Sequence, residues 1–184
     1  MLINKNPKIQ TIKKFVTKGL CNKLIELYDK DLYRSYVVDD NQNVINPERT
    51  SKSKLLDNEG RDVKKLILKI SAIINLDFKN CEPVVFTKYK KNEEYKPHFD
   101  GFIDPKDNNQ RIYTAILYLS ECEGGETFFD NLNIKIKATK GSICIFENCM
   151  SNTDHINPAS LHSGLKVKNG EKIIMTFWFR KYNF

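Results

Sequence analysis

The run Lys172-Ile173-Ile174-Met175-Thr176-Phe177-Trp178-Phe179 decides how this chain folds. β-Branched and aromatic side chains dominate it, so it reads as a buried strand. Its apolar part is the longest in the chain and falls far short of the ~20 residues needed to span a membrane. Working back towards the N-terminus, Ser142 to Phe146, Ile134 to Ile136, Tyr113 to Leu119 and Val84-Val85-Phe86 have the same character. Turn material divides them: Asn169-Gly170, Lys140-Gly141, Gly124-Gly125 and the segment from Asp104 to Asn109. Before Glu82 the pattern is helical. Leu20, Leu24, Leu27 and Tyr28 make an apolar stripe over residues 19–33. Val63, Leu66, Ile67, Ile70, Ile73 and Ile74 make a longer one, with Asn58 as its expected cap. The polar stretch from Asp39 to Asp57 reads as a loop with short extended pieces. Helices first and many short strands afterwards predict an α+β fold, a helical layer on a β-sandwich or jelly roll. The expected organisation is one domain over 1–184, with a helical support at about 1–80 and a β core at about 82–182.

A chain of 184 residues with 40% hydrophobic and 29% charged content can build such a core without a disulfide or metal staple. Met1-Leu2-Ile3-Asn4-Lys5-Asn6-Pro7 lacks the apolar core of a signal peptide, so a cytoplasmic protein is expected. Cys21, Cys81, Cys122, Cys144 and Cys149 contain no CxxC pair and read as reduced thiols. The net charge of +7 suggests nucleic acid, but lysine outnumbers arginine 25 to 5. Lys, Asn and Ile fill 63 of 184 positions and share A/T-rich codons, which accounts for a basic background without a basic function. Arginine, which forks onto phosphate and guanine, is scarce. Neither a membrane nor a nucleic-acid partner is expected.

The chain has three histidines, His98, His155 and His162. In His98-Phe99-Asp100, the period of two on a strand sends His98 and Asp100 to one face. An imidazole and a carboxylate there are two thirds of a facial triad for non-haem Fe(II). Chance alone supplies such a pair in about one chain of this composition in five, so context must decide. His162, in Leu161-His162-Ser163-Gly164 shortly before the last strand, is preferred as third ligand over His155, which sits in a polar loop.

The context is an ordered series. Tyr89, Asn92, Tyr95, His98 and Asp100 come first, and Arg111, Thr114, Tyr118 and Leu119 follow. Gly124-Gly125-Glu126-Thr127 with Phe129, Lys140-Gly141-Ser142 to Asn148, Leu161 to Gly164, and Gly170-Glu171-Lys172 to Trp178 complete it. This series resembles the prolyl 4-hydroxylase type of Fe(II)/2-oxoglutarate-dependent dioxygenase over roughly residues 45–180, with Arg49-Thr50-Ser51 as a matching upstream segment. The resemblance implies a cupin-like double-stranded β-helix carrying N-terminal helices on one sheet. It implies His98, Asp100 and His162 as iron ligands, and Lys172, Tyr89 and Thr127 around the 2-oxoglutarate carboxylate, with Tyr118 a further donor. It also implies O2 as co-substrate, ascorbate as a supporting reductant, and oxidative decarboxylation to succinate and CO2. Arg49, Ser51, Glu82, Tyr95, Arg111 and Trp178 match positions that line a groove for a proline-containing peptide, over which the stretch Asp39–Asp57 would close as a lid.

Leu55, Asn92, Lys166 and Arg180 depart from that pattern, standing where an aromatic, a glycine, a proline and a histidine are usual. None touches the triad or Lys172. The expected reaction is peptidyl-proline 4-hydroxylation. A free amino acid, another peptidyl side chain or a small molecule is the alternative substrate, because one fold hosts many.

Overall fold

The computed structural model describes residues 7–39, 42–44, 47–105 and 108–184. Parts of the predicted lid (40–41 and 45–46) and of the turn at Asp104–Asn109 (106–107) lie outside them, as do residues 1–6.

Strand β1 is Ile9–Ile12, helix α1 Lys18–Tyr28, β2 Tyr33–Arg34, β3 Val37–Asp39, β4 Gln42–Val44 and β5 Lys52–Leu55. Helix α2 is Arg61–Ile74, followed by β6 Val85–Tyr89, β7 Tyr95–His98, β8 Arg111–Tyr118, β9 Cys122–Gly124, β10 Thr127–Phe129 and β11 Ile134–Ile136. Strands β12 Ile143–Glu147, β13 His162–Gly164, β14 Val167–Gly170 and β15 Lys172–Arg180 close the chain. Seven strands pair in the order β1-β12-β8-β15-β6-β5-β2, and a smaller sheet runs β11-β10-β13-β7. The β-ladders between named strands are antiparallel. The two sheets pack face to face as the expected jelly roll, with the helices on the outside of the larger one.

Strand periodicity divides the larger sheet into two faces. Ala115 and Leu117 of β8, Ile143 and Ile145 of β12, and Ile173, Met175, Phe177 and Phe179 of β15 join the core that contains Cys21 and Leu24 of α1 and Val63, Leu66, Ile67 and Ile70 of α2. The intervening residues Ile116, Tyr118, Cys144, Phe146 and Ile174 turn inward and pack with Phe129 of the smaller sheet. Each helix is thus held by one apolar stripe.

Two local expectations are corrected. Helix α1 starts at the Thr17 cap, whose hydroxyl accepts from the Leu20 amide at 3.2 Å, and it stops at Tyr28. The residues beyond it are claimed by the larger sheet, where Tyr33 and Arg34 pair with Ser53 and Lys52, and Leu27 is left exposed. Asn58 does not cap α2. Gly60 takes that position, while the Asn58 amide is spent on the carbonyls of Cys81 and Glu82 and on the Val84 amide. The short extended pieces expected within Asp39–Asp57 include Lys52–Leu55, a strand of the larger sheet paired with β6. The five cysteines are unpaired, as their spacing indicated. Among the described residues no helix is long and apolar enough to cross a membrane.

Candidate metal and co-substrate site

The smaller sheet brings the two distant histidines together. In the β13–β7 ladder His162 is the direct partner of His98, and Asp100 follows two residues after His98. The carboxylate lies 3.7 Å from His98 Nε2 through Oδ1 and 3.5 Å from His162 Nε2 through Oδ2. One donor atom from each of the three residues falls within 4.8 Å of the others. His155 remains on an exposed loop, away from this group.

Each imidazole is oriented by its other nitrogen. His98 Nδ1 lies 2.8 Å from the Lys96 carbonyl and His162 Nδ1 lies 3.0 Å from the Ser160 carbonyl. A carbonyl can only accept, so Nδ1 carries the proton and the Nε2 lone pair faces the carboxylate. Burial, assisted by the neighbouring His162, pushes the His98 pKa down to about 3, so the ring is a neutral ligand at physiological pH. Burial alone would raise the Asp100 carboxyl. The two imidazoles, Arg111 and a Thr114 hydrogen bond outweigh it and hold the group below its usual range. Thr114 Oγ1 donates to Asp100 Oδ2 at 2.8 Å, and Asn148 Nδ2 donates in turn to Thr114 Oγ1 at 3.0 Å. Thr114 and Asn148 stood in the ordered motif series, but no role was assigned to either from sequence. The signal was present, because Thr114 shares the inward face of β8 with Ile116 and Tyr118.

Two imidazoles and one carboxylate, with donor atoms convergent and second nitrogens tied to the backbone, fit Fe(II) with coordination positions left open. Lysine 172 opens β15 opposite Tyr89, points inward and is only 3% exposed. Burial lowers its amine to about 8 against the opposing influence of Cys122, Glu126 and Cys144. Its Nζ makes no ion pair among the described residues and sits 5.4 Å from the centre of the Tyr89 ring. A Cβ on Gly164 would come within 3.5 Å of that Nζ. Across from it, the Thr127 and Tyr118 hydroxyls are 2.8 Å apart and buried. A buried cation with no ion-pair partner among the described residues suits the far carboxylate of a small dicarboxylate. The Gly124-Gly125 turn shapes one wall. Both residues have positive φ (71° and 68°), and a Cβ on Gly125 would meet Cys122 Sγ at 2.8 Å.

The predicted groove residues divide into two groups that reach the triad from different sides. In the first, the Tyr95 ring stacks on His98 at 3.5 Å between centroids, and the Arg49 guanidinium lies over Tyr95 at 5.0 Å. Arg49 also donates to the Tyr36 carbonyl at 3.0 Å, while Ser51 Oγ is 2.8 Å from Ser35 Oγ. In the second, Arg111 grips Glu82 through both carboxylate oxygens at 2.7 and 2.6 Å and lies 4.1 Å over the Trp178 ring. Its Nη1 reaches towards the Asp100 carbonyl at 3.4 Å. Phe102 and Arg180 complete this second group, the arginine by donating to Glu82.

A jelly roll with this donor set defines a metal-dependent oxygenase of the 2-oxoglutarate class. The chain belongs to the 2OG-Fe(II) oxygenase superfamily, whose family model matches residues 84–180. A protein of Acanthamoeba polyphaga mimivirus, named as a candidate prolyl 4-hydroxylase, is 30% identical over 94% of this chain and 76% of its own length. Prolyl 4-hydroxylase 5 of Arabidopsis thaliana is 29% identical over the whole of this chain and 72% of its own. Among solved structures, a viral collagen prolyl hydroxylase from Paramecium bursaria Chlorella virus-1, in complex with 2-oxoglutarate, superposes with a TM-score of 0.78. It shares 29% identity over 95% of this chain and 96% of that one. The protein is therefore a 2-oxoglutarate-dependent dioxygenase that uses Fe(II).

Proposed function

We propose that this oxygenase hydroxylates proline within a peptide, using His98, Asp100 and His162 as iron ligands and Lys172 as the partner of the 2-oxoglutarate distal carboxylate. The observation that carries the reading is the wall beside the triad, where Tyr95 stacks on His98 under Arg49. An extended proline-rich segment is a preformed ligand that loses little entropy on an aromatic surface, and arginine can take its backbone carbonyls. The relatives named as prolyl hydroxylases support the same substrate.

Bound Fe(II) and 2-oxoglutarate supply the oxidative chemistry, in which decarboxylation to succinate and CO2 is coupled to oxygen insertion into a C–H bond. The chain's own work is orientation and exclusion of water. The Lys96 and Ser160 carbonyls fix the two rings, Thr114 and Asn148 fix the carboxylate, and Lys172 fixes the co-substrate with Thr127, Tyr118 and Tyr89 around it. Ile116, Ile174, Phe129 and Phe146 keep the floor dry. No side chain has to act as acid or base. The helical layer and the two sheets would work as one domain, because the larger sheet packs on the helices with one face and on the smaller sheet with the other. Five unpaired thiols support a reducing, cytosol-like setting.

The test is incubation of the iron-loaded protein with 2-oxoglutarate, ascorbate and proline-rich peptides, followed by mass spectrometry. A product heavier by about 16 Da on proline, formed with equimolar succinate, is expected from one inserted oxygen atom. Succinate formation that responds to free amino acids and not to peptides would overturn the substrate.

A further inference from the structure

The second group of groove residues carries more positive charge than it can neutralise. Arg111 and Arg180 both bind Glu82, and it is the only carboxylate within ion-pair distance of either guanidinium among the described residues. One carboxylate between two guanidiniums leaves one charge unmatched. Arg180 is held in place on three sides. Its Nε donates to Glu82, its Nη1 donates to the Asn109 carbonyl at 2.6 Å, and its plane lies 4.6 Å over Phe102. That leaves Nη2 with no hydrogen bond to a described residue. Burial lowers the Arg180 pKa, with Glu82 opposing the shift and Arg111 adding to it. The neighbouring Trp178 adds a buried Nε1–H with no acceptor. This wall is therefore rich in donors and poor in acceptors, and a buried donor left unpaired costs free energy until an acceptor arrives.

We infer that this wall selects peptides bearing an acidic side chain close to the target proline, with Arg180 as the specificity-determining residue. The inference rests on the peptidyl-proline reading of the same site. An aspartate or glutamate would match the surplus charge through the free edge of Arg180 and bring an acceptor within reach of the Trp178 indole. An uncharged side chain at this position would leave Arg111 and Glu82 balanced.

Trp178 is the chain's sole tryptophan, so its emission reports binding at this wall directly. The full chain is titrated with proline-rich peptides that differ only in having Glu, Gln or Lys within three residues of the proline. A Kd about tenfold lower for Glu than for Gln is expected from one charge-assisted hydrogen bond, with Lys weakest. The ratio should shrink as salt rises, should fall towards one in Arg180→Gln, and should return in part in Arg180→Lys. Equal affinity for the Glu and Gln peptides, or a ratio unchanged in Arg180→Gln, overturns the inference. Hydroxylation without charge preference also overturns it while sparing the proline reading. Charge-selective binding without oxidised proline sinks the proline reading and keeps the acidic preference. No binding of any peptide sinks both.

Discussion

Strand β15 has two faces that obey different rules. Towards the helices it presents Ile173, Met175, Phe177 and Phe179, all buried and all apolar. Towards the smaller sheet it presents Lys172, Ile174, Thr176, Trp178 and Arg180, which include a partnerless cation, an orphan indole and a crowded guanidinium. The backbone is shared, so the contrast arises from side chains alone. The outer face answers to packing density and holds the strand still. The inner face is left with polar groups in need of partners, an arrangement tolerable only because the outer face anchors the sheet and because ligands can supply what is missing.

Substitutions on the two faces should fail in different ways. Replacing His98 or Asp100 by Ala should abolish 2-oxoglutarate turnover and iron binding while thermal stability stays near wild type, as titration with Fe(II) and a melting curve would show together. On the other face, Phe177→Ala should cost about 3–5 kcal/mol of stability through the cavity it leaves. Denaturant unfolding measures that, and the KM for 2-oxoglutarate in the folded fraction should not move. Lys172→Ala should raise the KM for 2-oxoglutarate roughly 100-fold, since it removes one side of a buried ion pair. The same lysine predicts a pH effect. Its amine titrates near 8 in the free protein, so the ammonium that must meet the carboxylate is lost as pH rises through 8. The KM should therefore climb about tenfold per pH unit above that point, and a flat profile to pH 10 would remove Lys172 from the co-substrate site. Thr114→Val, beside the triad, should weaken iron affinity or turnover by about 10–100-fold and leave the KM for 2-oxoglutarate nearly unchanged.

Much of this contrast could be read in the sequence because period two survives in the core strands. The alternation in Tyr113 to Leu119 follows from it, whereas Lys172 was reached only through the family resemblance, and Asp100 sits just past the end of β7. His162 was separable from His155 by its position before the last strand, and the two lie in buried and exposed settings. What sequence concealed were contacts decided by tertiary competition. Asn58 has the chemistry of a helix cap, but a neighbouring strand end offered it three backbone partners. Lys52–Leu55 is polar by composition and becomes a strand because β6 has an open edge to pair with. Thr114 and Asn148 belong to the motif series, but their roles appear only once Asp100 meets Thr114 and Asn148 supports Thr114 from behind. Arg180 stood out only as a departure, and its meaning needed Glu82, distant in sequence, to be seen beside Arg111.

Strand β13 has one more consequence. His162 lies at one end of it and Gly164, beside the Lys172 ammonium, at the other, two residues or about 6–7 Å along the strand. An extended backbone therefore separates the proposed metal position from the buried cation by a set interval, so the proposed site would favour a dicarboxylate of matching length.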